Sequence, residues 1–170
     1  EYASKSLRVS INSYISFLND PNLKNATEMS IAANLAGKAI SISKTTVPHA
    51  VSYPFTSLFN ISHGHAVGLF FESFFKFNYD NIDKSETSFD LKARFDLIFN
   101  LFNVNNINEF SSQISLMKKK AKLQDNLQEL NIDIKKNSDD ILKGINLLRL
   151  GNNPIKIGGK EIYNIITGSD

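Results

Sequence analysis

The chain has 170 residues and a mass of 19.0 kDa; it is 42% hydrophobic and 21% charged, a composition that builds a packed core and excludes a disordered chain. Lysine plus arginine (19) nearly balances aspartate plus glutamate (17), and the net charge of +2 is too small to point to nucleic acid or an anionic membrane. The absence of cysteine removes disulfide frameworks, thiolate metal sites and cysteine nucleophiles, and it fits a reducing cytoplasm, the expected location. No apolar run reaches the roughly 18–20 residues of a membrane span, and no signal segment follows Glu1. Lacking an initiator methionine, the chain reads as a mature product or a piece of a longer protein.

The predicted elements are all helical. Leu7, Ile11, Tyr14, Ile15 and Leu18 share one helical face, and Asn19-Asp20-Pro21-Asn22 ends that helix. Asn25 is expected to cap a second helix through Met29, Ala32, Ala33, Ala36 and Ile40, whose small side chains let another backbone approach. Pro48 drives the preceding residue out of the α region and suits the first turn of a third helix, which carries His49 toward Phe59 with Pro54 as a kink. Asn60–His65 reads as a connector. Val67–Phe77 is apolar almost all round and is expected to be one helix at the buried centre of the domain.

Asn78–Thr87 reads as a polar loop, and Ser88 as the cap of a helix carrying Phe89, Phe95, Leu97, Ile98 and Leu101. Ile107–Leu123, Asp139–Leu147 and Glu161–Thr167 fit further helices. Gly158-Gly159 reads as a turn, and Lys118-Lys119-Lys120 with Lys122 as a solvated face. The expectation is a single all-α domain over residues 1–170, of about seven to nine helices, without strands, repeats or linkers.

Candidate chemistry is confined to one stretch. All three histidines, His49, His63 and His65, fall within 17 residues. Imidazoles on two packed segments can share one ion, and neutral imidazole suits Fe(II), Zn(II) and similar metals. A helix-start histidine followed by a polar loop fits the same spacing. The chain has no His-Glu-x-x-His, no Gly-x-Ser-x-Gly elbow, no phosphate-binding glycine loop and no strand-turn for a dinucleotide. Any further ligand therefore comes from elsewhere in the fold or from outside the chain.

Three segments go further. Ala36-Gly37-Lys38-Ala39-Ile40, then Lys44-Thr45-Thr46-Val47-Pro48-His49-Ala50-Val51-Ser52-Tyr53-Pro54, then Ile61-Ser62-His63-Gly64-His65-Ala66-Val67 resemble the iron-containing (group III) alcohol dehydrogenases. That family has a His-Ala helix start and, fourteen residues later, a His-Gly motif opening the next helix; His49 and His63 keep that interval. Asn152-Asn153-Pro154 resembles the family's C-terminal Asn-Pro element. The likeness spans nearly the whole chain, tight from Gly37 to Gly68 and loose from Asn78 to Ile145.

The resemblance implies the all-helical C-terminal domain of a two-domain enzyme of the dehydroquinate synthase-like scaffold. It implies NAD(P) bound by an N-terminal α/β domain absent from this sequence. It also implies His49 and His63 as two ligands of Fe(2+), with Zn(2+) as the alternative. An Asp and the residue four after it, upstream of Glu1, would complete the set. The metal would polarise the oxygen of an alcohol or aldehyde during hydride transfer, and the chain alone would be inactive. Tyr53 stands where many members have a further histidine. His65, found in some subgroups, is expected beside the metal and not on it. Arg149 occupies a position that faces the substrate in some relatives, where a guanidinium suits an anionic aldehyde; with Lys44-Thr45-Thr46 it resembles the branch linked to phosphonate metabolism. The implied partner is a small alcohol or aldehyde, with no nucleic acid or membrane, and a homodimer of the full-length enzyme is allowed. The alternatives are a sister enzyme, such as a glycerol dehydrogenase or a dehydroquinate synthase-like lyase, and a non-catalytic helical interaction domain.

Overall fold

A computed structural model describes residues 1–169. Among them are ten α-helices and no strand: α1 (Tyr2–Asn19), α2 (Leu23–Ser43), α3 (Val47–Phe59), α4 (His63–Leu69), α5 (Phe71–Asp80), α6 (Leu91–Phe102), α7 (Ile107–Lys120), α8 (Ser138–Lys143), α9 (Leu147–Leu150) and α10 (Gly159–Thr167). A 3-10 turn at Ile82–Lys84 interrupts the expected polar loop. No helix is long and apolar enough to cross a membrane among the described residues. The chain divides into two compact units. One comprises Glu1–Lys44 with Ala93–Leu123, the other Thr45–Lys92 with the residues from Gln124 onward.

In the first unit α1 and α2 form an antiparallel hairpin held by small side chains. Buried Ser6 donates to the Ala32 carbonyl at 2.8 Å and buried Ser13 to the Glu28 carboxylate at 2.6 Å. The cap of α2 is Asn22, not Asn25: its Oδ1 accepts from the Asn25 N–H at 2.9 Å. The Asn25 amide instead reaches back to the Asp20 and Ser16 carbonyls and closes the end of α1. The α6 and α7 segments of this unit meet through Phe99 and Phe102, whose rings lie 6.0 and 4.9 Å from that of Phe110. α6 begins at Leu91, so Ser88 is not its cap and Phe89 precedes the helix.

The second unit carries the histidines. Its buried centre is α3, where Val47, Pro48, Ala50, Val51, Ser52, Pro54 and Phe55 are all buried. The expected continuous helix over Val67–Phe77 is broken at Phe70, whose φ of −119° and ψ of 10° leave the helical region between α4 and α5. The break sends Phe70 and Phe74 inward, Phe70 meeting the Phe55 ring at 4.9 Å, and leaves Phe71, Phe75 and Phe77 half-buried. Periodicity alone does not register such a bend, so an apolar run reads as one all-round buried helix when two short helices each bury one face. The expected helix over Asp139–Leu147 is likewise two, because Asn146 leaves the helix to donate its N–H to the Ala50 carbonyl at 3.2 Å.

Candidate metal centre

The start of α3 sets the first imidazole. Thr46 is extended, Pro48 sits in the first turn, and the apolar Val47, Ala50 and Val51 anchor that turn in the core. His49 is left half-buried at the end of the helix. Ser62 precedes α4, whose first residue is the exposed His63, and the neighbouring Ile61 and Ala66 are buried. These anchors bring the two rings together: His49 Nδ1 lies 3.1 Å from His63 Nε2, with ring centroids 5.1 Å apart.

That separation fits a shared ion. Two nitrogens each about 2.0–2.1 Å from one metal, at angles between octahedral and tetrahedral, are themselves about 2.8–3.4 Å apart. The pair is only part of a complete site. No group of three or more His, Asp or Glu side chains able to hold a metal occurs among the described residues.

Three more side chains surround the pair. The Tyr53 ring, one turn beyond His49, lies 5.9 Å from that of His63. Ser52 donates its hydroxyl hydrogen to the His49 carbonyl at 2.8 Å and places Oγ 3.3 Å from His63 Nδ1. Arg149 acts on His49 electrostatically from α9, a helix capped by Asn146, whose Oδ1 accepts from the Arg149 N–H at 3.0 Å. Ser52 and Asn146 carry no catalytic or metal-binding motif in the sequence. The asparagine just before Leu147 was an available cap signal, whereas Ser52 gains meaning only once His63 is placed. His65 points elsewhere: its Nε2–H donates to the Gln124 carbonyl.

Burial, with the neighbouring His63 and the Arg149 charge, lowers the His49 pKa below its ordinary value of 6.5. The ring is therefore neutral at pH 7, as a metal ligand must be. The unfolded chain takes up this proton first as pH falls. The resulting contribution to stability is present above about 6.5 and is lost as pH falls toward the lowered value. A ring titration of His49 by NMR is expected to give a midpoint below 6.5; a midpoint at or above it contradicts this burial and charge environment.

Comparison with known proteins identifies the family and the fold. The model of the Fe-containing alcohol dehydrogenase family, C-terminal, matches residues 1–169. A sulfoacetaldehyde reductase from Bifidobacterium kashiwanohense, solved in complex with NAD+, superposes with a TM-score of 0.82 at 21% identity, over 98% of this chain and 42% of its own. An archaeal halo-thermophilic alcohol dehydrogenase from a Red Sea brine pool superposes with a TM-score of 0.77 at 17% identity, over 99% of this chain and 44% of its own. A phosphonoacetaldehyde reductase from Streptomyces viridochromogenes is 38% identical over 48 residues, 28% of this chain and 12% of that protein. The chain thus spans less than half the length of these relatives. A family match over residues 1–169, together with the all-helical fold shared with the solved relatives, shows that the chain belongs to the Fe-containing alcohol dehydrogenase family and corresponds to that family's C-terminal part.

Proposed function

We propose that this chain is the metal-holding, C-terminal part of a two-domain cytoplasmic enzyme that interconverts small alcohols and aldehydes with NAD(P). The observation that carries this reading is the 3.1 Å approach of His49 Nδ1 to His63 Nε2 at the ends of two helices. His49 and His63 would hold a divalent metal, Fe(2+) or Zn(2+), which when bound supplies Lewis acidity toward a substrate oxygen. Its remaining ligands and the dinucleotide-binding fold belong to the rest of the protein. The described residues contain neither a third convergent ligand nor a strand, and the solved sulfoacetaldehyde reductase, more than twice as long, holds NAD+. The chain alone is accordingly expected to give no NAD(P)-dependent turnover.

Arg149 supports a substrate with an anionic tail. Arg149 is half-buried, within electrostatic reach of His49, and makes no ion pair among the described residues. An unpaired guanidinium beside a metal site attracts sulfonate, phosphonate or carboxylate through charge-assisted, bidentate hydrogen bonds. The two reductases named above act on sulfonate- and phosphonate-bearing aldehydes, by their names.

The test is reduction of sulfoacetaldehyde and of a neutral aldehyde of similar size by the metal-loaded full-length enzyme with NAD(P)H. Arg149→Ala is expected to raise KM for the anionic aldehyde by about tenfold or more, the worth of one charged hydrogen bond, and to leave the neutral aldehyde nearly unaffected. A full-length protein that reduces neither aldehyde, or turnover by the 170-residue chain alone, overturns the reading.

A further inference from the structure

We infer that Ser52 is a positioning residue that fixes the proton of His63 on Nδ1, leaving the Nε2 lone pair to face His49 and the metal position. The inference rests on the metal reading above for its purpose, but its geometry stands apart from it. Ser52 is fully buried on α3, three residues after His49. A hydroxyl has one hydrogen to give. The His49 carbonyl, at 2.8 Å, takes it. Toward His63 Nδ1, at 3.3 Å, Oγ therefore offers only lone pairs. A proton on Nδ1 turns this contact into a hydrogen bond. A proton on Nε2 sets lone pair against lone pair, or obliges Ser52 to surrender the shorter bond.

With the Nδ1 proton assigned, the rest of the cluster follows. His63 Nε2 can only accept, so His49 Nδ1 donates to it across 3.1 Å. The three groups form a directed ring in which the His49 ring donates to the His63 ring, His63 to Ser52, and Ser52 to the His49 carbonyl. Each hydrogen is used once. His63 meets a metal with its lone pair already presented, whereas His49 must lose its Nδ1 proton or carry it on Nε2 to ligate through the same atom. The hydrogen bond at one imidazole nitrogen thus decides what the other can bind. The histidine ring free in water prefers its proton on Nε2, so the expected Nδ1 form is a departure that the protein imposes.

The experiment is 15N NMR of the imidazole rings in the 170-residue chain, above the pH at which the histidines titrate, followed by titration with Zn(II) alone. The expected wild-type result is His63 protonated on Nδ1. In Ser52→Ala the proton should shift to Nε2 or become mixed, and Zn(II) affinity should fall by about tenfold or more. His63 protonated on Nε2 in the wild type overturns the inference, and this arm stands even where Ser52→Ala fails to fold. A folded Ser52→Ala chain that keeps the Nδ1 form overturns it too. In either case Zn(II) shifts at both rings would leave the metal reading standing. The expected tautomers without any Zn(II) response at either ring support the role of Ser52 and leave the metal reading to the full-length protein, which would carry the remaining ligands.

Discussion

Phe55→Ala is expected to lower the free energy of unfolding by about 3–5 kcal/mol, the usual cost of emptying a buried phenylalanine site. Phe55 is fully buried on α3, with its ring 4.9 Å from Phe70 and 5.7 Å from Phe59. The Phe70 contact matters most, because Phe70 is the residue at which α4 gives way to α5. Its ring locks the α4 segment, and with it His63, against the helix that carries His49 and Ser52. The cavity left by alanine cannot be filled by neighbours that already pack on other residues. Urea unfolding followed by circular dichroism checks the value. A loss below about 1 kcal/mol would show that α3 is not the centre of its unit.

His63→Ala is expected to weaken Zn(II) binding by on the order of 100-fold or more while lowering stability by no more than about 1–2 kcal/mol, the worth of its two hydrogen bonds. The two halves of this prediction have one origin. His63 is exposed on the first residue of α4, so its removal empties no core space. Its Nε2 is, however, half of the only pair of convergent imidazoles that the described residues show, and one imidazole alone retains a metal poorly. Competition with a chromophoric chelator gives the affinity. Equal affinity in wild type and variant would mean that Zn(II) binds the chain elsewhere.

The part of the site that was legible in the sequence is the part fixed by local signals. Pro48 marks the start of α3, and the interval from His49 to His63 places both rings near helix ends, which the fold brings together. Arg149 was marked by the family resemblance alone, and the structure adds its electrostatic influence on His49. What was not legible depends on approaches between distant segments. Gly144 lies inside the helix expected over Asp139–Leu147, yet a Cβ there would come within 2.8 Å of Pro54 Cβ. Only a glycine lets α8 end so close to α3. Asn22 and Asn25 carry the same side chain, and which of them caps α2 depends on where the backbone is extended. Phe70 belongs to an unbroken apolar run, and the bend there, which turns its ring onto Phe55, has no local mark. Ser52 is one of several serines on helices, and nothing local marks it until His63 lies against its hydroxyl.

X-ray absorption at the zinc edge of the Zn(II)-loaded chain tests most directly whether His49 and His63 hold one ion. Two imidazole nitrogens at about 2.0–2.1 Å are predicted, falling to at most one in His49→Ala and in His63→Ala. A spectrum unchanged by both substitutions, or one that shows only oxygen neighbours in the wild-type chain, would contradict the account.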